Sequence, residues 1–129
     1  MKIDHLAIWV DDLECMRIFY ISYFNMESGE KYINEKKGFS SYFLRFGQQT
    51  TRLELMHKTD IPYSAQKRGH VKGIAHFSIS VGGKDAVDRL TERLRADHYS
   101  IVGEPRTTGD GYYESSVLDP EGNLIEISA

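Results

Sequence analysis

The sequence predicts an α+β fold of two tandem βαβββ units, on three observations. IDHLAIWV at residues 3–10 and IAHFSISV at residues 74–81 align without a gap, and each places a histidine third. LELM at residues 53–56 and IEIS at residues 125–128, which close the two halves, each place a glutamate second. His5 and His76 are 71 residues apart and Glu54 and Glu126 are 72 apart, so two independent landmarks keep one spacing. A period this long exceeds that of a solenoid repeat and marks a duplicated domain half.

The elements follow in order. Residues 2–10 are β-branched and aromatic enough for a strand. Alternation then puts Ile3, His5, Ala7 and Trp9 on one face and Asp4, Leu6, Ile8 and Val10 on the other. Asp11 or Asp12 suits a helix N-cap. Leu13, Met16, Phe19, Tyr20, Tyr23 and Phe24 then recur at helical spacing. Residues 38–46 and 51–57 read as strands around the turn Gly47-Gln48-Gln49, a hairpin. Residues 58–73 are polar, contain Pro62 and Gly69 and show no period; this is a linker or loop long enough for a hinge or lid. The order then restarts: a strand at 74–81, and an amphipathic helix at 84–97 with Val87, Leu90 and Leu94 on one stripe. A short strand at 100–103 precedes strands at 112–118 and 123–128, which flank Asp119-Pro120-Glu121-Gly122. The expected organisation is one domain over residues 1–129, with module 1 at 1–58, a linker at 59–72 and module 2 at 73–129.

A chain of 129 residues suits one compact domain or two small halves sharing a core. Its 40% hydrophobic and 27% charged residues are those of a soluble globular protein. A net charge of −3 gives no electrostatic reason to bind nucleic acid or an anionic membrane. The single cysteine, Cys15, excludes an intrachain disulfide and a four-thiolate zinc site. Among Leu13, Met16 and Phe19 it reads as a buried structural thiol. Acidic residues within the first twelve positions argue against a signal peptide, and no apolar run approaches the ~20 residues that span a bilayer. The expected location is the cytoplasm.

A strand histidine is more often structural than a ligand. Glu54 between Leu53 and Leu55, or Glu126 between Ile125 and Ile127, is by itself only the outward residue of a half-buried strand. The repeat outweighs four separate bland readings. Each half supplies one imidazole from its first strand and one carboxylate from its last, and two facing halves would bring all four together. Two neutral nitrogens and two anionic oxygens suit zinc, nickel, cobalt, iron or manganese as a divalent ion. Positions left open to water are what a catalytic site needs.

These residues resemble the glyoxalase I, bleomycin-resistance and extradiol-dioxygenase superfamily, the vicinal oxygen chelate proteins. The resemblance is carried by Ile3-Asp4-His5, Arg17-Ile18-Phe19-Tyr20, Leu53-Glu54-Leu55, Ile74-Ala75-His76 and, most specifically, residues 119–126 (DPEGNLIE). It implies two βαβββ modules curled into a cup-shaped mixed sheet around a metal site. It also implies a cup that in short members often forms across a homodimer, and a small-molecule substrate. The full set His5, Glu54, His76 and Glu126 resembles bacterial glyoxalase I, a lactoylglutathione lyase. That implies a lyase or isomerase acting on an α-oxoaldehyde–thiol adduct through a metal-stabilised enediolate, with Glu126 as the base and Glu54 as second candidate.

The chain departs from that enzyme where glutathione binds. Trp9 stands where an arginine grips a glutathione carboxylate, and Lys58 stands where an asparagine is usual. Lys72 keeps a cation four residues before the second histidine, and Asp110 replaces a lysine. The site keeps its metal ligands and changes its handle. That puts glutathione in question and leaves another thiol, or a different small α-oxygenated substrate. Trp9, Lys58, Lys72 and Tyr113 are the candidate substrate contacts. Three other readings stand beside the lyase: an iron-dependent extradiol dioxygenase, a thiol transferase of the fosfomycin-resistance type, and a non-catalytic binding or antibiotic-sequestering protein. The first two use two histidines and one glutamate, so Glu54 counts against them.

Overall fold

The computed structural model describes residues 1–62 and 66–129. The chain forms two compact units, Met1–Tyr63 and Ser64–Ala129. The part of the expected linker at 63–65 lies outside the described residues. No helix among the described residues is long and apolar enough to cross a membrane.

The first unit runs β1 (His5–Trp9), α1 (Leu13–Phe24), β2 (Glu27–Ser28), β3 (Tyr32–Asn34), a 3-10 turn (Glu35–Lys37), β4 (Phe39–Arg45) and β5 (Arg52–Lys58). Its strands lie in the order β1-β5-β4-β2, with β3 also on β4. β1 runs parallel to β5, and the other pairs are antiparallel. The Asp12 side chain caps α1 by accepting from the Cys15 amide at 2.9 Å. Asn25 ends the helix in the left-handed region at φ 52°. The stripe Leu13, Met16, Phe19, Tyr20 and Phe24 is buried, as are Leu44, Leu53 and Leu55 of the strands beneath. Cys15 is exposed, against the expectation of a buried thiol. It lies about 100° round the helix from Met16, off the buried stripe.

The second unit repeats the plan: β6 (Phe77–Ser80), α2 (Lys84–Ala96), β7 (Ile101–Thr107), β8 (Tyr113–Leu118) and β9 (Leu124–Ser128), in the order β6-β9-β8-β7. β6 is parallel to β9, and the remaining pairs are antiparallel. α2 buries Val87, Thr91 and Leu94, and Val117, Ile125 and Ile127 are buried in the sheet. The hydroxyls of Thr91 and Ser115 meet at 2.7 Å, and Thr91 also donates to the Val87 carbonyl at 2.7 Å, so neither buried hydroxyl lacks a partner.

Four elements differ from expectation. β2 and β3 fall in a stretch read only as following α1; at two and three residues they are too short to show a period. β7 continues to Thr107, beyond the expected end at 103, through register shifts around Gly103 that break its alternation. β6 begins at Phe77, so His76 stands just ahead of its strand.

One network ties α1 to β4. Glu14 Oε1 accepts from the Tyr42 hydroxyl at 2.7 Å and from Lys31 Nζ at 3.2 Å, and Oε2 accepts from Arg17 Nε at 3.0 Å. The Tyr42 hydroxyl is the main cause holding the Glu14 carboxyl below its ordinary 4.5. The same bond raises the Tyr42 phenol above its ordinary 10.0. Glu14 therefore contributes its full stabilisation above its unfolded value, and loses it as pH falls through the lowered folded one. Tyr42 contributes fully below its unfolded value, and loses this as pH rises through the raised one. In an absorbance titration Tyr42 is expected to ionise after an unperturbed tyrosine, and Glu14→Gln to bring it down. An unchanged titration in that variant would contradict the assignment.

Candidate metal-binding site

Strand parity builds a His–Glu pair in each unit. Leu53 and Leu55 point into the core of the first unit, so Glu54 between them points to the opposite face of the sheet. Register sets Ala7 beside Glu54, and His5, two residues earlier, falls on the same face. The second unit does the same: Ile125 and Ile127 are buried, Ser78 lies beside Glu126, and His76 is two residues before Ser78. His5 Nε2 stands 3.8 Å from Glu54 Oε2, and His76 Nε2 stands 3.2 Å from Glu126 Oε2. The two carboxylates are 13% and 20% exposed and their imidazoles 39% and 40%, so the pairs match in burial as well as in position.

Nitrogen and oxygen ligands bound at ~2.0–2.2 Å to one ion stand about 3–3.5 Å apart. The second pair is within that range and the first slightly beyond it. Each unit thus brings together an imidazole nitrogen and a carboxylate oxygen, donor types that suit a divalent ion, with the second pair at a matching spacing. No group of three or more potential ligands occurs among the described residues.

The surroundings of the two histidines differ. The Asp4 carboxylate lies 3.0 Å from His5 Nδ1 and also accepts from Arg52 Nη2. These two bonds, His5 first, hold the Asp4 carboxyl below its ordinary 3.8. The Phe43 ring, opposite Glu54 in register, meets the His5 ring edge-on at 5.4 Å. The Arg52 guanidinium lies over that phenyl ring at 4.3 Å. Asp4, Phe43 and Arg52 were not singled out from the sequence. Phe43 and Arg52 follow from counting register outward from Glu54, once the hairpin is fixed.

The candidate substrate contacts are placed unequally. Trp9 shares the His5 face of β1 and packs edge-on against Phe39 at 6.2 Å, while remaining 39% exposed. Lys58 shares the Glu54 face of β5, but its ammonium is paired with Asp60 at 2.6 Å. Lys72 is exposed in the irregular segment before β6. The Tyr113 hydroxyl donates to Asp88 of α2 at 2.8 Å, on the face of β8 that carries buried Ser115 and Val117. Ser116, on the other face, is the register partner of Glu126. Asp88 also raises the Tyr113 phenol above its ordinary 10.0. Of the remaining histidines, His57 donates Nδ1–H to the Val10 carbonyl at 3.0 Å, and His70 and His98 are exposed.

The turn before β9 fixes the register that places Glu126. Asp119, 4% exposed, accepts from the amides of Glu121 at 3.0 Å and Asn123 at 2.8 Å, and from Asn123 Nδ2 at 2.6 Å. Gly122 sits at φ 83°, where a side chain would be strained.

The sequence pattern of the Glyoxalase/Bleomycin resistance protein/Dioxygenase superfamily matches residues 2–127. The chain belongs to this superfamily. It is 29% identical over 124 residues to a lactoylglutathione lyase of Arabidopsis thaliana, covering 95% of this chain and 42% of the relative. It therefore spans about two fifths of the plant lyase's length. It is 28% identical over 132 residues to a mitochondrial methylmalonyl-CoA epimerase of Bos taurus, covering 98% of this chain and 73% of that one. Among solved structures it is similar to the trypanothione-dependent glyoxalase I of Leishmania major, with a TM-score of 0.78 at 24% identity, over 99% of this chain and 86% of that one. A glyoxalase family protein from Enterococcus faecalis gives a TM-score of 0.78 at 18% identity, over 99% and 97%. These structural likenesses show the glyoxalase-type βαβββ fold.

Because the Asp119 bonds are largely buried and the His5 ring is not, the two residues separate stability from function. Asp119→Ala is expected to cost ~1–3 kcal/mol in urea unfolding, and His5→Ala to stay within about 0.5 kcal/mol of the parent. Equal losses would show that the histidine is part of the core.

Proposed function

We propose that the chain is a metal-dependent lyase or isomerase of glyoxalase type that moves a proton between adjacent carbons of a small α-oxygenated substrate. The observation that carries this reading is the recurrence of one His–Glu pair at one register position in both units. His5, Glu54, His76 and Glu126 would hold a divalent ion of zinc, nickel, cobalt, iron or manganese. When bound, the ion supplies positive charge against the negative charge that develops on substrate oxygens as a carbon loses its proton.

The chain's own residues supply the rest. Glu126 takes the proton from one carbon and returns it to the next, with Glu54 as the second candidate base. Both carboxylates are held by neighbours locked in the core, so neither has far to move. Trp9 presents an aromatic surface on the His5 face of β1, where a carboxylate-gripping arginine would favour glutathione. The Lys58 charge is already met by Asp60. This supports a substrate handle other than glutathione. The match to an epimerase over most of its length favours a second reading with the same base chemistry, the inversion of an acidic carbon beside a thioester carbonyl.

Elemental analysis of tag-free protein tests the reading. One divalent ion per chain is expected in the parent, lost in Glu54→Gln and His76→Ala. A stoichiometry near zero after reconstitution would leave a binding protein. Glu126→Gln is expected to lower kcat by ~10²–10⁴-fold, measured with α-oxoaldehyde–thiol adducts and with acyl thioesters, and by solvent deuterium uptake at carbon. The reading also expects a homodimer. Recovery of metal binding on mixing His5→Ala/Glu54→Gln chains with His76→Ala/Glu126→Gln chains would show that two copies complement each other.

A further inference from the structure

The two histidines occupy equivalent places but are not equivalently held. We propose that Asp4, braced by Arg52, is a positioning residue that fixes His5 with its proton on Nδ1 and its lone pair on Nε2, ready for a metal ion, while among the described residues no carboxylate meets His76 at Nδ1. The inference rests on the metal-binding reading above and names residues that the reading does not use.

Three contacts converge on the His5 ring. The Asp4 carboxylate is 3.0 Å from Nδ1. An ionised carboxylate can only accept, so Nδ1 donates, and in the neutral ring Nε2 carries the lone pair. That nitrogen is the one directed toward Glu54. Arg52 stands opposite His5 in register and donates to the same Asp4 oxygen, so Asp4 is held between two donors. Phe43 closes the group, edge-on to the His5 ring and beneath the Arg52 guanidinium. Outer hydrogen-bond partners of this kind set ring orientation and raise ligand basicity, and losing one typically costs 10–100-fold in metal affinity.

The second unit lacks every member of the group. Applying the repeat spacing, Ala75 stands where Asp4 is and Leu124 where Arg52 is. Ser116 is opposite Glu126, as Phe43 is opposite Glu54. Alanine and leucine can neither accept from an imidazole nor brace a carboxylate. His5 is thus held through Nδ1 as well as facing Glu54, whereas His76 meets its carboxylate, Glu126, at Nε2 only.

Asp4 is more than half exposed, so its substitution leaves the core untouched. The test combines ¹⁵N NMR of the metal-free protein with chelator-competition titrations of zinc. In the parent, His5 is expected in the Nδ1–H form. Asp4→Leu is expected to return His5 to a mixture and to weaken zinc binding by ~10–100-fold. Asp4→Asn keeps an acceptor oxygen and is expected to lose less, and Arg52→Gln to give a smaller loss than Asp4→Leu. If His5 keeps its proton position in Asp4→Leu, or zinc affinity stays within about twofold of the parent, the proposal is overturned. A parent that binds no zinc would instead sink the functional reading, and the metal-free spectra would still decide whether Asp4 positions His5.

Discussion

In each unit the first strand lies parallel to the last. A parallel pair cannot be joined by a tight turn; it needs a crossover, which here carries the helix and the intervening strands. The sheet order follows from that demand, since the remaining strands can then add only along the free edge of the last one. The same pairing sets a residue near the start of the chain beside one near the end of the unit. His5 meets Glu54, and His76 meets Glu126, because of where β1 and β6 are laid down. The helix covers one face of each sheet with apolar side chains and leaves the other for polar ones.

Much of this was legible in the sequence because two periodicities coincide. Strand alternation assigns Glu54 and Glu126 to the face away from Leu53, Leu55, Ile125 and Ile127, and the repeated spacing says that both halves do it alike. The long apolar stripe of α1 was equally clear. What escaped had no period to show. β2 and β3 are shorter than any pattern that could announce them. Gly103 and Pro105 interrupt β7, so its extension depends on β8 rather than on its own residues. The face of Tyr113 could not be read, because a tyrosine at a strand end can be placed by parity only when the strand's register is known. Its true partner, Asp88, lies on a helix 25 residues away in sequence. Cys15 looked buried among apolar neighbours, although its angle on the helix sets it outside them. The His–Glu pairs could be named as candidates; what surrounds them depended on contacts across strands that spacing does not reveal.

The duplicated halves have also diverged in a consistent direction. The open face of the first unit is aromatic and charged, with Trp9, Phe39 and Phe43 around Glu54 and Arg52 beside it. The corresponding face of the second is small and polar: Ser78 and Ser128 share a hydroxyl contact at 3.1 Å, and Ser116 lies opposite Glu126. Identical ligand types thus sit in unlike settings, one with apolar walls and a braced imidazole, the other lined with hydroxyls. The repeat has kept its His–Glu pair and varied the side chains around it.

The parallel pairing has a further consequence for how the chain matures. In the first unit the imidazole and carboxylate come from strands separated by α1, β2, β3 and β4, so they are brought together only when nearly the whole unit has closed. Closing so long a loop is slow relative to forming a hairpin, although each further doubling of its length adds only ~0.6 kcal/mol. A nascent or partly folded chain therefore offers no preformed pair to a passing ion. Any binding that needs both side chains therefore waits on completed folding of the unit.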